Sequence, residues 1–252
     1  MEVLGIDIGN SGIKGCIVDT ERGEIISDRK STAPLEDTTP HKILAKMHQI
    51  VTKEFRWKGP VGCAFPAPVN KGIVLSAKRI DDSWIDANAE QLFSEITENE
   101  FSVINDTDAT GLAEMHFGGG QNQEGVTIVL TAGTAIGSSV FMDGRLVPNT
   151  ELELMEIRGI TVEEYASNKS RKEEAIHKKT WTKRLQLVLE HLEKIFHPDL
   201  FILGGKLSRK EDKAFPFIKI NTAFKAASFL NDASIVGAAM VAAHKKSQPF
   251  YR

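Results

Sequence analysis

Three short stretches carry residue types that can bind phosphates and move a proton. The first, LGIDIGNSGIKG (Leu4 to Gly15), brings Asp7 to the end of an apolar run and turns through Gly9, Asn10, Ser11 and Gly12 before reaching Lys14. Glycines let backbone N–H groups approach phosphate oxygens, while Ser11 and Lys14 add a hydroxyl and a cation. A phosphate-binding turn and a plain Gly-rich hairpin both satisfy the pattern. Neither GxGxxG nor GxxxxGK[ST] is present, and the chain continues into a strand instead of a helix. The second stretch, INDTDATGLAE (Ile104 to Glu114), ends a strand at Asn105 and Asp106 and starts a helix at once. Asp106 thus belongs at the carboxyl edge of a sheet, where α/β folds place catalytic groups; capping of that helix by Asp106 or Asp108 is the competing reading. The third stretch, from Leu130 to Asn149, holds Thr131, Gly133, Thr134 and Gly137 in a second small-residue turn between strands.

These residues need a scaffold, and the apolar pattern supplies one. Residues 2 to 8 and 13 to 19 read as strands joined by the first turn, and residues 24 to 30 continue them as a meander. Residues 40 to 55 put Ile43, Met47, Ile50, Val51 and Phe55 on one helical face, with Pro40 near the start. Strand 61 to 65, helix 88 to 96 and strand 101 to 105 complete the order βββαβαβ. The second half begins the same way, with strands 125 to 131 and 136 to 144 around the second turn. A helix over 180 to 196, strand 199 to 205 and a terminal helix opening at Asp232, an N-cap candidate, follow. Two similar turns at corresponding places in two similar halves say more than either alone.

Composition narrows the function classes. The 252 residues are 41% hydrophobic and 26% charged, as expected of a globular protein with one or two domains. A formal charge of -3 gives no field that attracts nucleic acid or an anionic membrane. Cys16 and Cys63 are too few for a disulfide framework or a four-cysteine zinc site. The apolar run Ile235 to Ala243 is far shorter than the ~20 residues of a membrane span, and the start lacks a basic leader, so a cytoplasmic protein is expected.

Asp7, Gly9, Lys14 and Gly15, the Asn105–Asp106 pair, the second turn, DGRLVPNTEL (Asp143 to Leu152) and ILGGKLS (Ile202 to Ser208) together resemble the ROK family of sugar kinases. The resemblance runs from about Val3 to Ala243 and is nearest to the polyphosphate glucokinase branch. It implies an α/β fold of two actin-like (ribonuclease H-like) domains with an interdomain cleft, residues 1–105 and 106–231, a helix at about 232–246 packing back on the first. It implies transfer of a phosphoryl group from polyphosphate or ATP to the 6-hydroxyl of glucose or a related hexose. Asp106 would be the general base, and Asn105 and Glu151 would bind sugar hydroxyls. Asp7, Gly9, Asn10, Ser11, Lys14, Thr131, Gly133, Thr134 and Gly137 would face the donor, with Gly204 and Gly205 at its distal or adenosine end. Magnesium would ride on the donor phosphates, helped by Asp7, with no structural zinc; the protein would be a homodimer without nucleic-acid or membrane partners. With a first strand expected from residue 2, the helix-turn-helix of ROK repressors is not expected.

The chain departs from that pattern where the family binds sugar. Leu154 stands for a His, Glu153 for a Gly, Arg79 for an Asn and Ala67 for a Gly; Asn10 and Ala135 replace glycines in the two turns. Arg79 and Leu154 are therefore candidate acceptor-site residues, Arg79 for an anionic group. Two alternatives follow: a kinase for a modified or anionic sugar, and a catalytically silent sugar- or phosphate-binding protein. The basic stretch from Lys169 to Arg184 is either a polyanion contact or a solvated helix face.

Overall fold

In the computed structural model, which describes residues 1–9, 11–205, 217–229 and 232–245, the chain forms two compact units. The first is built from residues 1–113 and the C-terminal helix. Its strands β1 (Glu2–Gly9) and β2 (Gly12–Asp19) pair antiparallel from Glu2↔Asp19 to Gly9↔Gly12. Apolar residues at alternate positions bury Leu4, Ile6 and Ile8 in one core, each worth about 1.5–3 kcal/mol. The expected third strand is broken in two, β3 (Glu24–Ile25) and β4 (Lys30–Ser31), both along β2. Between them the Ser27 hydroxyl accepts the Ile17 N–H at 2.8 Å, taking the place of a backbone ladder bond.

Helix α1 (Pro40–His48) also ends earlier than its apolar face predicts. Over Gln49–Glu54 it widens to π-helical turns, with the Phe55 N–H donating to the Ile50 carbonyl at 3.0 Å, and the neighbours Ile50 and Val51 are both fully buried. Then come β5 (Val61–Phe65), the hairpin β6 (Val69–Asn70) and β7 (Ile73–Val74), α2 (Ala89–Thr97), β8 (Phe101–Asn105) and α3 (Asp106–Phe117). The sheet order is β3-β2-β1-β5-β8, with β1, β5 and β8 parallel. Phe65, Trp84, Phe93 and Phe101 form a buried aromatic chain, successive ring centroids 5.1–5.7 Å apart.

The second unit spans residues 114–231. Its sheet comprises β9 (Val126–Ala132), β10 (Ile136–Met142), β11 (Arg145–Val147), β14 (Leu200–Gly205) and β15 (Ala223–Ala226); the hairpin β12 (Glu156–Ile157) and β13 (Ile160–Thr161) stands apart. The order β11-β10-β9-β14-β15 repeats the plan of the first sheet: antiparallel strands on one side, and the parallel partners β14 and β15 on the other. Helices α4 (Val162–Ala166), α5 (Asn168–Glu173) and α6 (Lys178–Phe196) follow β13. Trp181, Leu185, Val188, Leu189 and Leu192 of α6 bury against Ile128, Leu130, Phe201 and Leu203.

Helix α7 (Ala233–His244) returns to the first unit and packs on β1, β5 and β8. The approach is possible because glycines face it. A Cβ on Gly62 would lie 1.8 Å from the Ala238 carbonyl oxygen, one on Gly5 2.3 Å from that of Ile235, and one on Gly237 1.8 Å from that of Ala109 in α3. Asp232 makes no side-chain cap bond to α7, contrary to the sequence expectation; its carboxylate is drawn instead into an ion pair with Arg29.

Candidate active site

The parallel strands β1, β5 and β8 end at one sheet edge, and the register there is explicit. Asp7 lies opposite Ala64 and Ala64 opposite Ile104, so Asn105 and Asp106 stand one and two residues further along. The helix that begins at Asp106 is capped by Asn105, not by Asp106 or Asp108. Asn105 Oδ1 accepts the N–H groups of Thr107 at 2.9 Å and Asp108 at 3.2 Å, and the Thr107 hydroxyl at 2.6 Å. Its amide NH2 is what remains to offer a ligand.

With the cap supplied by its neighbour, Asp106 keeps its carboxylate for other work. Oδ1 is buried and has no hydrogen-bond partner among the described residues, while Oδ2 lies 3.7 Å from Arg79 Nη1. Burial pushes its pKa up to about 6, against the pull of Arg79 and with help from the charge of Asp7. Asp7 is raised as well, by burial first; a hydrogen bond with Ser234 and the charges of Lys14 and Arg29 oppose it. Lys14 is its direct cross-strand partner. Ser234 and Arg29 carried no motif in the sequence; only the fold, through α7 and the segment between β3 and β4, delivers them to Asp7.

Among the other first-unit candidates, Ser11 is exposed at the turn and Asn10 lies outside the described residues. Gly9 has open space around it: a Cβ there would meet only Asp7 Oδ2, at 3.8 Å. Ala67 is 3% exposed and part of the core, so it faces protein.

In the second unit, Thr131 donates its hydroxyl to the Gly137 carbonyl at 3.3 Å. The turn carbonyls of Gly133 and Thr134 accept the N–H groups of Asn168 and Lys169, both at 3.1 Å. Gly133 has room, with Ala135 O the nearest atom to an added Cβ at 3.5 Å. Gly204 and Gly205 are accounted for by packing: a Cβ on the first would press Thr131 Cγ2 at 3.1 Å, and the second has φ +74° with Ala132 O only 2.7 Å away. Lys206, Leu207 and Ser208 lie outside the described residues. Glu151 is half-buried at the head of the turn Leu152–Leu154, and Leu154 is exposed. Glu153 points the other way. It is buried, with the Ser138 hydroxyl 3.0 Å from Oε2, and that same hydroxyl receives the Leu152 N–H at 3.0 Å. Of the four sugar-site departures, then, Glu153 and Ala67 are internal, while Arg79 and Leu154 reach solvent.

The model of the ROK family matches residues 3–149. A polyphosphate glucokinase of Mycobacterium leprae (strain TN) is 41% identical over 238 residues, 94% of this chain and 73% of that protein. This chain belongs to the ROK family. The crystal structure of an inorganic polyphosphate/ATP-glucomannokinase from Arthrobacter sp. strain KM superposes on this ROK protein with a TM-score of 0.91 at 36% identity, covering 97% of this chain and 99% of that one. A ROK family glucokinase from Streptomyces griseus, in complex with glucose and AMPPNP, shares the fold at 20% identity, with a TM-score of 0.78 over 97% of this chain and all of that one. The fold of this ROK protein is therefore the actin-like ATPase fold.

Among the described residues no group of three or more His, Cys, Asp or Glu side chains is arranged to hold a metal, and no helix is long and apolar enough to cross a membrane.

Proposed function

We infer that the chain is a sugar kinase that transfers the terminal phosphoryl group of polyphosphate or ATP to the 6-hydroxyl of glucose or a related hexose. The observation that carries the chemistry is Asp106: a half-buried carboxylate at the end of a parallel strand, relieved of capping by Asn105, with its buried Oδ1 unengaged. In the reaction the acceptor hydroxyl gives its proton to Oδ1. Its oxygen forms the new bond to phosphorus, and the donor's bridging P–O bond breaks. The Asn105 amide and Glu151 would bind sugar hydroxyls, and the open glycines Gly9 and Gly133, with Ser11, Lys14 and Thr134, would receive the donor. The names of the relatives at 41% and 36% identity support this choice of donor and acceptor.

Magnesium fits this chemistry without a protein cage. Asp7 and Asp106 are two half-buried carboxylates whose charged forms partial desolvation disfavours, and a dication carried on the donor phosphates would relieve that cost at Asp7 while neutralising charge on the phosphoryl group. A cytoplasmic homodimer is the assembly we expect, and sedimentation of the purified protein checks its size. The deciding experiment is a matrix of candidate sugars against ATP and polyphosphate. Turnover on glucose or mannose with either donor supports the reading, and no turnover on any pair overturns it in favour of a silent binding protein.

A modified sugar remains the second reading, favoured by the exposed Leu154. An anionic acceptor is less well served, because the Arg79 guanidinium already faces a carboxylate.

A further inference from the structure

Arg79 lies in a loop whose position is fixed from both sides. Ala77 and Ile80 are buried in the core, and Trp84 just beyond them is fully buried and donates its indole N–H to the Thr38 carbonyl at 2.8 Å. Rigid support of this kind fixes where a long side chain starts, and so narrows where its head can go. The head of Arg79 reaches Asp106, with Nη1 3.7 Å from Oδ2 and the two side chains 32% and 24% exposed. That distance is an ion pair, not a hydrogen bond. Pairs at this level of exposure add little stability, so its consequence is sought in charge and direction instead.

We propose that Arg79 is a positioning residue for the proton-accepting carboxylate: by attracting Oδ2 it turns Oδ1 to the acceptor hydroxyl and keeps Asp106 ionised. The proposal rests on the reading of Asp106 as the general base. The charged groups that face Asp106 from other elements are Arg79 and, on β1, Asp7. Asp7 repels its negative charge and burial disfavours it, which leaves Arg79 as the cation that offsets both. The guanidinium stays charged across the working pH range, so the offset is constant. When the acceptor hydroxyl passes its proton to Oδ1 and its oxygen bonds to phosphorus, Asp106 becomes neutral and the pair dissolves.

The test compares Arg79→Gln and Arg79→Lys with the parent in two measurements. In the first, kcat/KM is followed from pH 5 to 9 with whichever sugar and donor turn over. The parent should lose activity as pH falls through about 6. In Arg79→Gln the midpoint should move up by about one pH unit, a loss of about fivefold at pH 6 and little at pH 8.5, and Arg79→Lys should recover most of it. In the second, the Asp106 carboxyl is titrated directly by carbon-13 NMR in protein free of magnesium, sugar and donor, its resonance identified by its absence in Asp106→Asn. The same upward move is expected there, and it requires no turnover.

A resonance that titrates identically with and without Arg79, or a rate loss equal at every pH, overturns the inference and leaves Arg79 a contact residue. If Arg79→Gln fails to fold, Arg79→Met carries both measurements, with the same upward move expected and an unmoved titration overturning the inference. An Asp106→Asn variant that turns over at the parent rate overturns the base reading, and this result is separate from the titration.

Discussion

Burial sets Asp106 apart, and burial of a charge costs stability as surely as it tunes chemistry. The catalytic expectation is that Asp106→Asn, which keeps the shape and removes the basicity, lowers kcat by at least ~100-fold in steady-state assays. The thermodynamic expectation has a definite sign. A carboxyl whose folded pKa is raised from 3.8 to about 6 favours the folded state fully below its unfolded pKa, and that contribution is lost as pH rises through the folded value. Asp106→Asn should therefore melt higher than the parent at pH 7.5, by on the order of 1 to 3 kcal/mol, with the difference shrinking towards pH 4. Glu153 is the opposite case. Its carboxylate is buried beside the Ser138 hydroxyl, so Glu153→Gly should destabilise the protein by about 1–3 kcal/mol in urea titration without improving glucose turnover. Leu154→His, at an exposed position of the same turn, should raise kcat/KM for glucose. The placement of Asp7, Asn105 and Asp106 at one sheet edge was legible because each closes an apolar run of strand length at a turn or a helix start. That Asn105 is the cap, and that Glu153 faces inward while Leu154 faces out, was not legible, since each depends on which direction a side chain leaves a turn of a few residues.

Elements were legible where a period ran long enough to fix a face. The β1–β2 hairpin, β5, β8 and α6 lie where alternation or helical spacing placed them, within a residue or two. The failures share a cause: the pieces are two to six residues long, as in β3, β4, β6, β7, β12, β13, α4 and α5, and hydrogen bonds such as Ser27 to Ile17 decide them. The glycines under α7 were present in the sequence as isolated letters with no visible partner. Their role is now testable. Gly62→Ala and Gly237→Ala, each with a Cβ 1.8 Å from a carbonyl oxygen, should lower stability by about 1–3 kcal/mol or more in denaturant titration. Gly9→Ala, with its nearest neighbour 3.8 Å away, should leave stability within about 0.5 kcal/mol and raise KM for the phosphoryl donor.

A chain with a formal charge of -3 must recruit a polyanion locally if it recruits one at all. Several members of the basic stretch are already engaged: Arg184 pairs with both carboxylate oxygens of Glu174, at 2.8 and 2.6 Å, and lies over the Tyr165 ring, Lys169 lies 4.0 Å from Glu173 Oε1, and Arg171 donates to Asn168 Oδ1 at 3.0 Å. Lys178 and Lys179 are exposed at the start of α6. Replacing both by Gln should raise KM for polyphosphate, make its salt dependence shallower and leave KM for ATP unchanged; equal effects on both donors would mark a solvated helix face. The return of α7 to β1, β5 and β8 has a consequence for biosynthesis. A ribosome delivers strands β1, β5 and β8 before the second unit, yet the helix that covers Gly5 and Gly62 emerges only after it. During the translation of residues 114–231 one side of the first sheet must wait uncovered, so over that interval the nascent protein carries an apolar surface that closes when α7 arrives.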